Sequence, residues 1–293
     1  MVICAKPLWL RRCCNGVPGP LERRMMPRSA AARMTTDPSL FDIRLATSDQ
    51  DLLAAQRLRY RVFVEELGGD GPLVDHELRL ERDEFDAVVD HLCLIDNRRF
   101  PGDLDHVVGV YRLLRWDRAA DFGRFYCDAE YDLEPMRRCG RPVLELGRSC
   151  VDPALRGGSG MFLLWNALAD YVLDHGIEIL FGVASLHGTD PAMLAPSLSW
   201  LHHHHLAPDG LRPTALPAGY QRMDLIPADR LDRREALIGM PALIKAYLRL
   251  GGMVGDGAFI DRAFNTTDVF LLMDTAAMSD KHRQFYESRW QPQ

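Results

Sequence analysis

No stretch of this chain approaches the roughly 18 consecutive apolar residues that a membrane-spanning helix requires, so no helical span is expected. Cysteine is sparse and unpatterned. There are seven, an odd count, with Cys13 and Cys14 adjacent and no Cys-x-x-Cys or metal-ligand spacing. That pattern argues against a disulfide framework, and free thiols in a reducing cytoplasm are the simplest account. Bulk basic charge is missing too. The net charge is −6, and seven of the 35 basic residues fall within residues 1–38 against two acids, leaving 28 against 39 for the rest, a net of −11. Nucleic acid is therefore not an expected partner. Ser185 lacks a Gly-x-Ser-x-Gly setting, which speaks against a hydrolase triad. Four consecutive histidines, His202 to His205, would spread around a helix instead of converging, so no metal site is expected. There is no internal repeat.

What is present suits a folded chain: 47% apolar and 26% charged residues, at a length that buries a sizeable core. Residues 1–38 read as a disordered basic extension, or as an upstream start with Met34 the true first residue. Residues 39–293 read as one domain. It opens with a strand at 41–45 and a helix over 48–67, capped by Ser48 with Asp51 three residues on and stopped at Gly68-Gly69. Residues 68–85 form a long acidic loop of functional length. Strands at 91–96 and 107–114 make a hairpin, and 117–141 is irregular. Then come a strand from 143, a helix over 161–175, a buried strand at 179–186 and a helix over 191–205. A Pro-rich loop at 208–219 leads to a strand at 221–226 and a helical stretch over 233–250, with Pro241 as its start or kink. A strand at 264–273 and a helix over 279–290 end the chain. This order predicts an α/β (α+β) fold with a mixed sheet flanked by helices.

The segment 143–165 is the most informative. A strand turns through Asp152-Pro153 into the loop Arg156-Gly157-Gly158-Ser159-Gly160 and then a helix. A glycine-rich loop opening a helix presents unpaired N–H groups at the positive end of the helix dipole, a place for a phosphate. Such turns are common, so the pattern gains weight only from its surroundings. The strand carries Glu145 and Arg148, three residues apart, which on a regular strand face opposite sides. They share a pocket only if a bulge adds a residue, and Gly147 permits one. A bulge or splay is therefore expected near Gly147-Arg148. In the plainer reading, Glu145 pairs with an arginine such as Arg112 to hold the sheet.

Several stretches agree in order with a known group. They are Arg59-Tyr60-Arg61-Val62-Phe63, Glu84-Phe85-Asp86, Asp90-His91-Leu92, residues 108–114, and Glu145-Leu146-Gly147-Arg148-Ser149. Further along lie Gly188-Thr189-Asp190-Pro191, residues 243–251, and Phe264-Asn265-Thr266-Thr267-Asp268. With the strand–loop–helix unit, they resemble the GNAT acyltransferase fold over about residues 41–273. Within it they resemble two branches, the acyl-homoserine-lactone synthases and the L-ornithine Nα-acyltransferases. The lactone synthases usually carry a Trp where this chain has Gly68-Gly69, which favours the ornithine branch.

The resemblance implies transfer of a 3-hydroxyacyl group from acyl carrier protein to the α-amine of L-ornithine, giving lyso-ornithine lipid. No tightly bound cofactor is implied, since the donor is the thioester on the carrier's 4′-phosphopantetheine arm. That arm would lie in a V-shaped gap between the parallel strands at 143–151 and 179–186, its phosphate on Arg156, Gly157, Gly158 and Gly160. Glu145 would be the base, with Arg148 beside it. An unshifted carboxylate is a weak base for an ammonium, so burial or a water relay would be needed. Phe63 is a marked position, Arg59 and Arg112 would hold the amino-acid carboxylate, and Asp86 or Asp90 the side-chain ammonium. Acyl carrier proteins are acidic, and Arg137, Arg138, Arg141, Arg148 and Arg156 would meet one. Peripheral contact with the inner face of the membrane would come from the basic tail or from residues 242–250. The alternatives are a lactone synthase using S-adenosylmethionine, or a non-catalytic GNAT-like module binding carrier protein or lipid.

Overall fold

The computed structural model describes residues 38–156 and 160–277. The expected extension before residue 38, the helix over 279–290, and Gly157 and Gly158 of the phosphate loop lie outside the described residues. Strand β1 (Phe41–Leu45) leads to helix α1 (Asp49–Arg59). Ser48 caps α1 as expected, its side chain accepting the Asp51 N–H at 3.1 Å. The helix reaches its expected length but changes pitch, winding as a π-helix over Tyr60–Glu66, a form enriched at functional sites. Gly68 stops it in the left-handed conformation (φ +77°).

Strands β2 (Asp90–Asp96) and β3 (Val107–Arg115) form the expected hairpin. The stretch read as irregular instead holds α2 (Trp116–Phe122), the two-residue strand β4 (Tyr131–Asp132) and α3 (Glu134–Arg138), elements too short to show a period. Strand β5 (Val143–Val151), helix α4 (Gly160–Asp174), strand β6 (Ile179–His187) and helix α5 (Pro191–His205) follow as expected. Two short strands come next, β7 (Thr214–Ala215) and β8 (Tyr220–Gln221), so the strand expected at 221–226 is mostly loop. Pro241 separates α6 (Arg233–Gly239) from α7 (Ala242–Arg249). Strand β9 (Met253–Asp261) escaped the sequence reading because Gly255 and Gly257 interrupt its pattern, and β10 (Thr266–Asp274) completes the sheet.

The strand order is β1-β2-β3-β5-β6-β10-β9-β7-β4, with β8 on β9. Pairing is antiparallel except at β5–β6 and β7–β9. One face packs α4, α5 and α7 through Leu164, Leu168, Leu198, Leu201 and Ile244. The other packs α1, with Ala54, Ala55 and Leu58 on Cys93, Val110 and Cys150, beside an aromatic cluster around Phe125, Phe181 and Phe270. In α7, Leu243, Ile244 and Tyr247 are buried in the core, so those residues are not available to enter a bilayer. No helix among the described residues is long and apolar enough to cross a membrane.

Two irregularities position the site. β5 and β6 pair only at Val143–Ile179, Leu144–Leu180 and Glu145–Phe181, and beyond that they part. This is the expected gap. The bulge is also where the sequence placed it. Against β3, β5 shifts register between the Arg112–Gly147 and Val110–Cys150 pairs, and Arg148 takes a left-handed conformation (φ +46°). At the point of parting stands Gly182, where an added Cβ would lie 2.4 Å from the Leu146 carbonyl oxygen. Gly182→Ala must therefore move backbone, at a cost of roughly 1–3 kcal/mol. A lowered Tm in thermal unfolding is expected, and an unchanged Tm would show that the strands part without constraint there.

Candidate active site

Past their last pair, β5 and β6 open onto a cavity of about 300 Å³. Its walls include Phe63 of the π-helix, Asp83 of the acidic loop, Tyr126, Arg148 of β5, and Val183 and Ser185 of β6. Arg148 lies between two rings, its guanidinium carbon 5.7 Å from the Phe63 centroid and 4.8 Å from that of Tyr126. Its Nε donates to Glu81 at 2.9 Å and its Nη1 to the Tyr126 hydroxyl at 3.2 Å.

Behind this wall lies a buried ionic network. Arg59, fully buried, donates to Glu81 at 2.5 Å and to Asp86 at 2.6 and 3.1 Å. Arg112 donates to Asp83 at 2.6 Å and to Asp86 at 3.2 Å. Gln56 adds a 3.0 Å bond to Asp86. Burial alone would raise these carboxylates, but the arginines more than offset it, holding Glu81 at about 2 and Asp86 well below the usual range. His91, 3.3 Å from the Asp86 carbonyl oxygen, is pushed down to about 4 by burial and by Arg59.

These contacts redistribute the roles expected from sequence. Phe63 and Arg148 do line the cavity. Arg59 and Arg112, expected to clasp a substrate carboxylate, already hold internal carboxylates, and Asp86 is bound by both. Asp90 faces Arg115, Arg118 and the Tyr171 hydroxyl. Glu145 is 3% exposed, and its two oxygens accept the N–H groups of Tyr126 and Cys127, each at 2.7 Å. Burial raises its pKa, but it is not among the residues that line the cavity. The bulge nonetheless brings Glu145 and Arg148 together on Tyr126, one on its backbone and the other on its ring and hydroxyl. Arg156 is bidentate to Glu66 at 2.5 and 2.7 Å, and Gly160 is buried at the start of α4.

The arginines expected to form a basic docking patch are likewise paired. Arg137 is bound to Asp128, Arg138 to Glu134, and Arg141 to Glu178 and Asp274. The histidine run has no common focus: His203 faces the Ile226 carbonyl, while His204 faces that of Trp200 and stacks on its ring. Gly69 stands where a side chain has little room. A Cβ there would sit 2.4 Å from the Phe264 ring, which occupies that part of the cavity wall.

One group was missed. Glu130, Asp261 and Asp268 bring carboxylate oxygens within 4.8 Å of one another in the cavity wall. Asp268 stood in a stretch marked by the resemblance without a role of its own, and Glu130 carried no signal. Burial first, then Asp268, pushes Glu130 up to about 8. The folded state thus binds this proton more tightly than the unfolded chain, whose value is near 4.5. Its contribution to stability is full below about 4.5 and declines as pH rises through about 8.

Two outcomes follow from these charges. Glu130→Gln should gain stability relative to the wild type as pH rises from 5 to 9, read from paired Tm values. A constant difference would show that Glu130 is ionised throughout. Arg59→Met removes the fully buried cation that Glu81 and Asp86 share and should cost about 3–5 kcal/mol in urea unfolding, whereas a loss below 1 kcal/mol would mean the network is dispensable.

A family model described as an acetyltransferase (GNAT) domain matches residues 58–166. An L-ornithine N(alpha)-acyltransferase of Rhodobacter capsulatus is 68% identical over 87% of this chain and 98% of its own length. One from Brucella abortus is 42% identical over 84% of this chain and 88% of its own. Among solved structures, FeeM, an N-acyl amino acid synthase from uncultured soil microbes, is similar with a TM-score of 0.46 at 11% identity, over 81% of this chain and 92% of that one. With a GNAT domain and relatives this similar over most of its length, the chain is an N-acyltransferase and belongs to the L-ornithine N(alpha)-acyltransferase family.

Proposed function

We propose that this protein acylates the α-amine of L-ornithine with a 3-hydroxyacyl group carried on the phosphopantetheine thioester of an acyl carrier protein, forming lyso-ornithine lipid. The observation that supports this most is the opening of β5 and β6 directly onto a cavity whose walls include Arg148, Glu130 and Asp268. A thioester laid in that gap meets an amino acid held in the cavity, and a backbone N–H of β5 beyond its last pair with β6 is our candidate donor to the carbonyl oxygen as it gains charge. The α-ammonium gives one proton to water, the neutral amine attacks the thioester carbonyl, and the proton the nitrogen sheds after attack matches the one the departing sulfur takes up. The C–N bond forms, the C–S bond breaks, and the pantetheine sulfur leaves as a thiolate that takes up a proton. No covalent enzyme intermediate is needed.

Arg148 is the arginine of the network whose side chain reaches the cavity, and it is our candidate for the ornithine carboxylate. With both oxygens on backbone donors, Glu145 acts as a positioning residue. It fixes Tyr126, which supports the Arg148 guanidinium. The carrier's arm phosphate is assigned to the loop 156–160 at the start of α4.

The test incubates the protein with 3-hydroxyacyl carrier protein and L-ornithine and follows the acylated amino acid by mass spectrometry. Arg148→Met should lower kcat/KM for ornithine roughly 10–150-fold, the worth of a hydrogen bond to a charged group. Product with a different amine only would discard ornithine, and no product with any acceptor would overturn acyl transfer.

A further inference from the structure

Glu130 and Asp268 stand out because each keeps one buried oxygen that no hydrogen-bond donor among the described residues meets. Glu130 is 7% exposed and Asp268 5%, yet Glu130 Oε2 and Asp268 Oδ1 are both buried with no hydrogen-bond partner, and both residues line the cavity. A buried, unpaired carboxylate oxygen is costly, and natural proteins retain one where a ligand completes it. The pair is also held rigidly. The Glu130 N–H donates to the Cys127 carbonyl at 3.0 Å, and its own carbonyl accepts the Leu216 N–H at 2.8 Å. Its neighbour Tyr131 places its hydroxyl between the Gly257 and Asp268 carbonyls, at 3.0 and 2.9 Å, and accepts the Phe270 N–H at 3.1 Å. Those contacts lie where β10 shifts register on β9. Asp261, at the end of β9, spends one oxygen on the Ala263 and Phe264 N–H groups. The cluster is therefore built, acidic, and short of hydrogen-bond donors among the described residues.

We infer that Glu130 and Asp268, with Asp261 behind them, form the subsite that takes the side-chain ammonium of the amino-acid acceptor and so selects a dibasic substrate over a neutral one. The inference rests on the acyl-acceptor reading above. Under it, Arg148 reads the carboxylate and the acids read the far end of the same molecule. An ammonium brings three N–H donors, enough to reach both orphan oxygens. Asp86 and Asp90, the sequence-based candidates for this task, are already committed to arginines.

Proton linkage gives a signature that a structural role would not produce. Glu130, facing Asp268 on β10, Asp261 on β9 and Arg148 on β5, and lifted to about 8, is largely protonated near pH 7 in the empty site. An arriving ammonium favours the ionised form, so binding should release up to one proton.

The experiment is calorimetric titration of the metal-free protein with L-ornithine and with L-norvaline, which lacks the side-chain amine. It is run at pH 7 in buffers of different ionisation enthalpy, on wild type, Glu130→Gln and Asp268→Asn. Wild type should bind ornithine at least tenfold more tightly than norvaline, with proton release, and each variant should lose most of that preference. Equal binding of the two amino acids by wild type, or a preference kept in both variants, would overturn the subsite. A preference that appears only with added Mn²⁺ or Mg²⁺ would overturn it in favour of a metal site. Because binding is read without turnover, the subsite and the reaction fail separately: ornithine-selective binding without acyl transfer would sink the reaction and keep the subsite.

Discussion

The site depends on a buried exchange of charge between three arginines and three carboxylates. Arg59 comes from the end of α1, Arg112 from β3 and Arg148 from β5, while Glu81, Asp83 and Asp86 come from the acidic loop and the turn after it. None of these elements binds the loop through an apolar face alone. The ions do it, and in a low-dielectric interior they do so because each charge faces opposite charge at hydrogen-bond distance. The arginines keep Glu81 and Asp86 ionised well below physiological pH, so ordinary pH changes do not release the loop. The loop in turn supplies one wall of the cavity.

Strand β5 carries the second constraint. It is parallel to β6 for three residue pairs, parts from it, and then takes an extra residue against β3. The extra residue turns Arg148 into a left-handed conformation, which costs a non-glycine residue on the order of 1–2 kcal/mol. Two aromatic faces and Glu81 compensate for it. The stretch of β5 that parts from β6 thus aims a guanidinium into the cavity beside it. At the last β5–β6 pair an aromatic cluster packs, with Phe125 edge-on to Phe181 and Phe181 stacked on Phe270.

Much of this was legible in the chain. Long elements announced themselves by period and by caps, as with Ser48 before α1 and Gly68 after the π-helix. The bulge followed from a geometric contradiction: Glu145 and Arg148 cannot share a face across a regular strand, and Gly147 stood between them. Short elements escaped, because α2, α3, β4 and β7 span too few residues for a period to form. β9 escaped because its glycines serve a packing purpose, Gly255 lying against the Pro213 carbonyl and Gly257 against the Tyr220 ring.

Sequence by itself determined the fold class, the family and the bulged strand β5, since local pattern and ordered motifs depend on neighbours along the chain. It also named most of the charged residues that gather near the site. Which of them face substrate was decided only in three dimensions. A guanidinium has five donors, and whether they meet a substrate or an internal carboxylate depends on partners dozens of residues away, as Arg59 does on Glu81 and Asp86. Glu130 and Asp268, 138 residues apart, become a pair only because Tyr131 is pinned into the β9–β10 irregularity. Their unmet oxygens arise from burial, a property of the whole fold that no stretch of sequence contains.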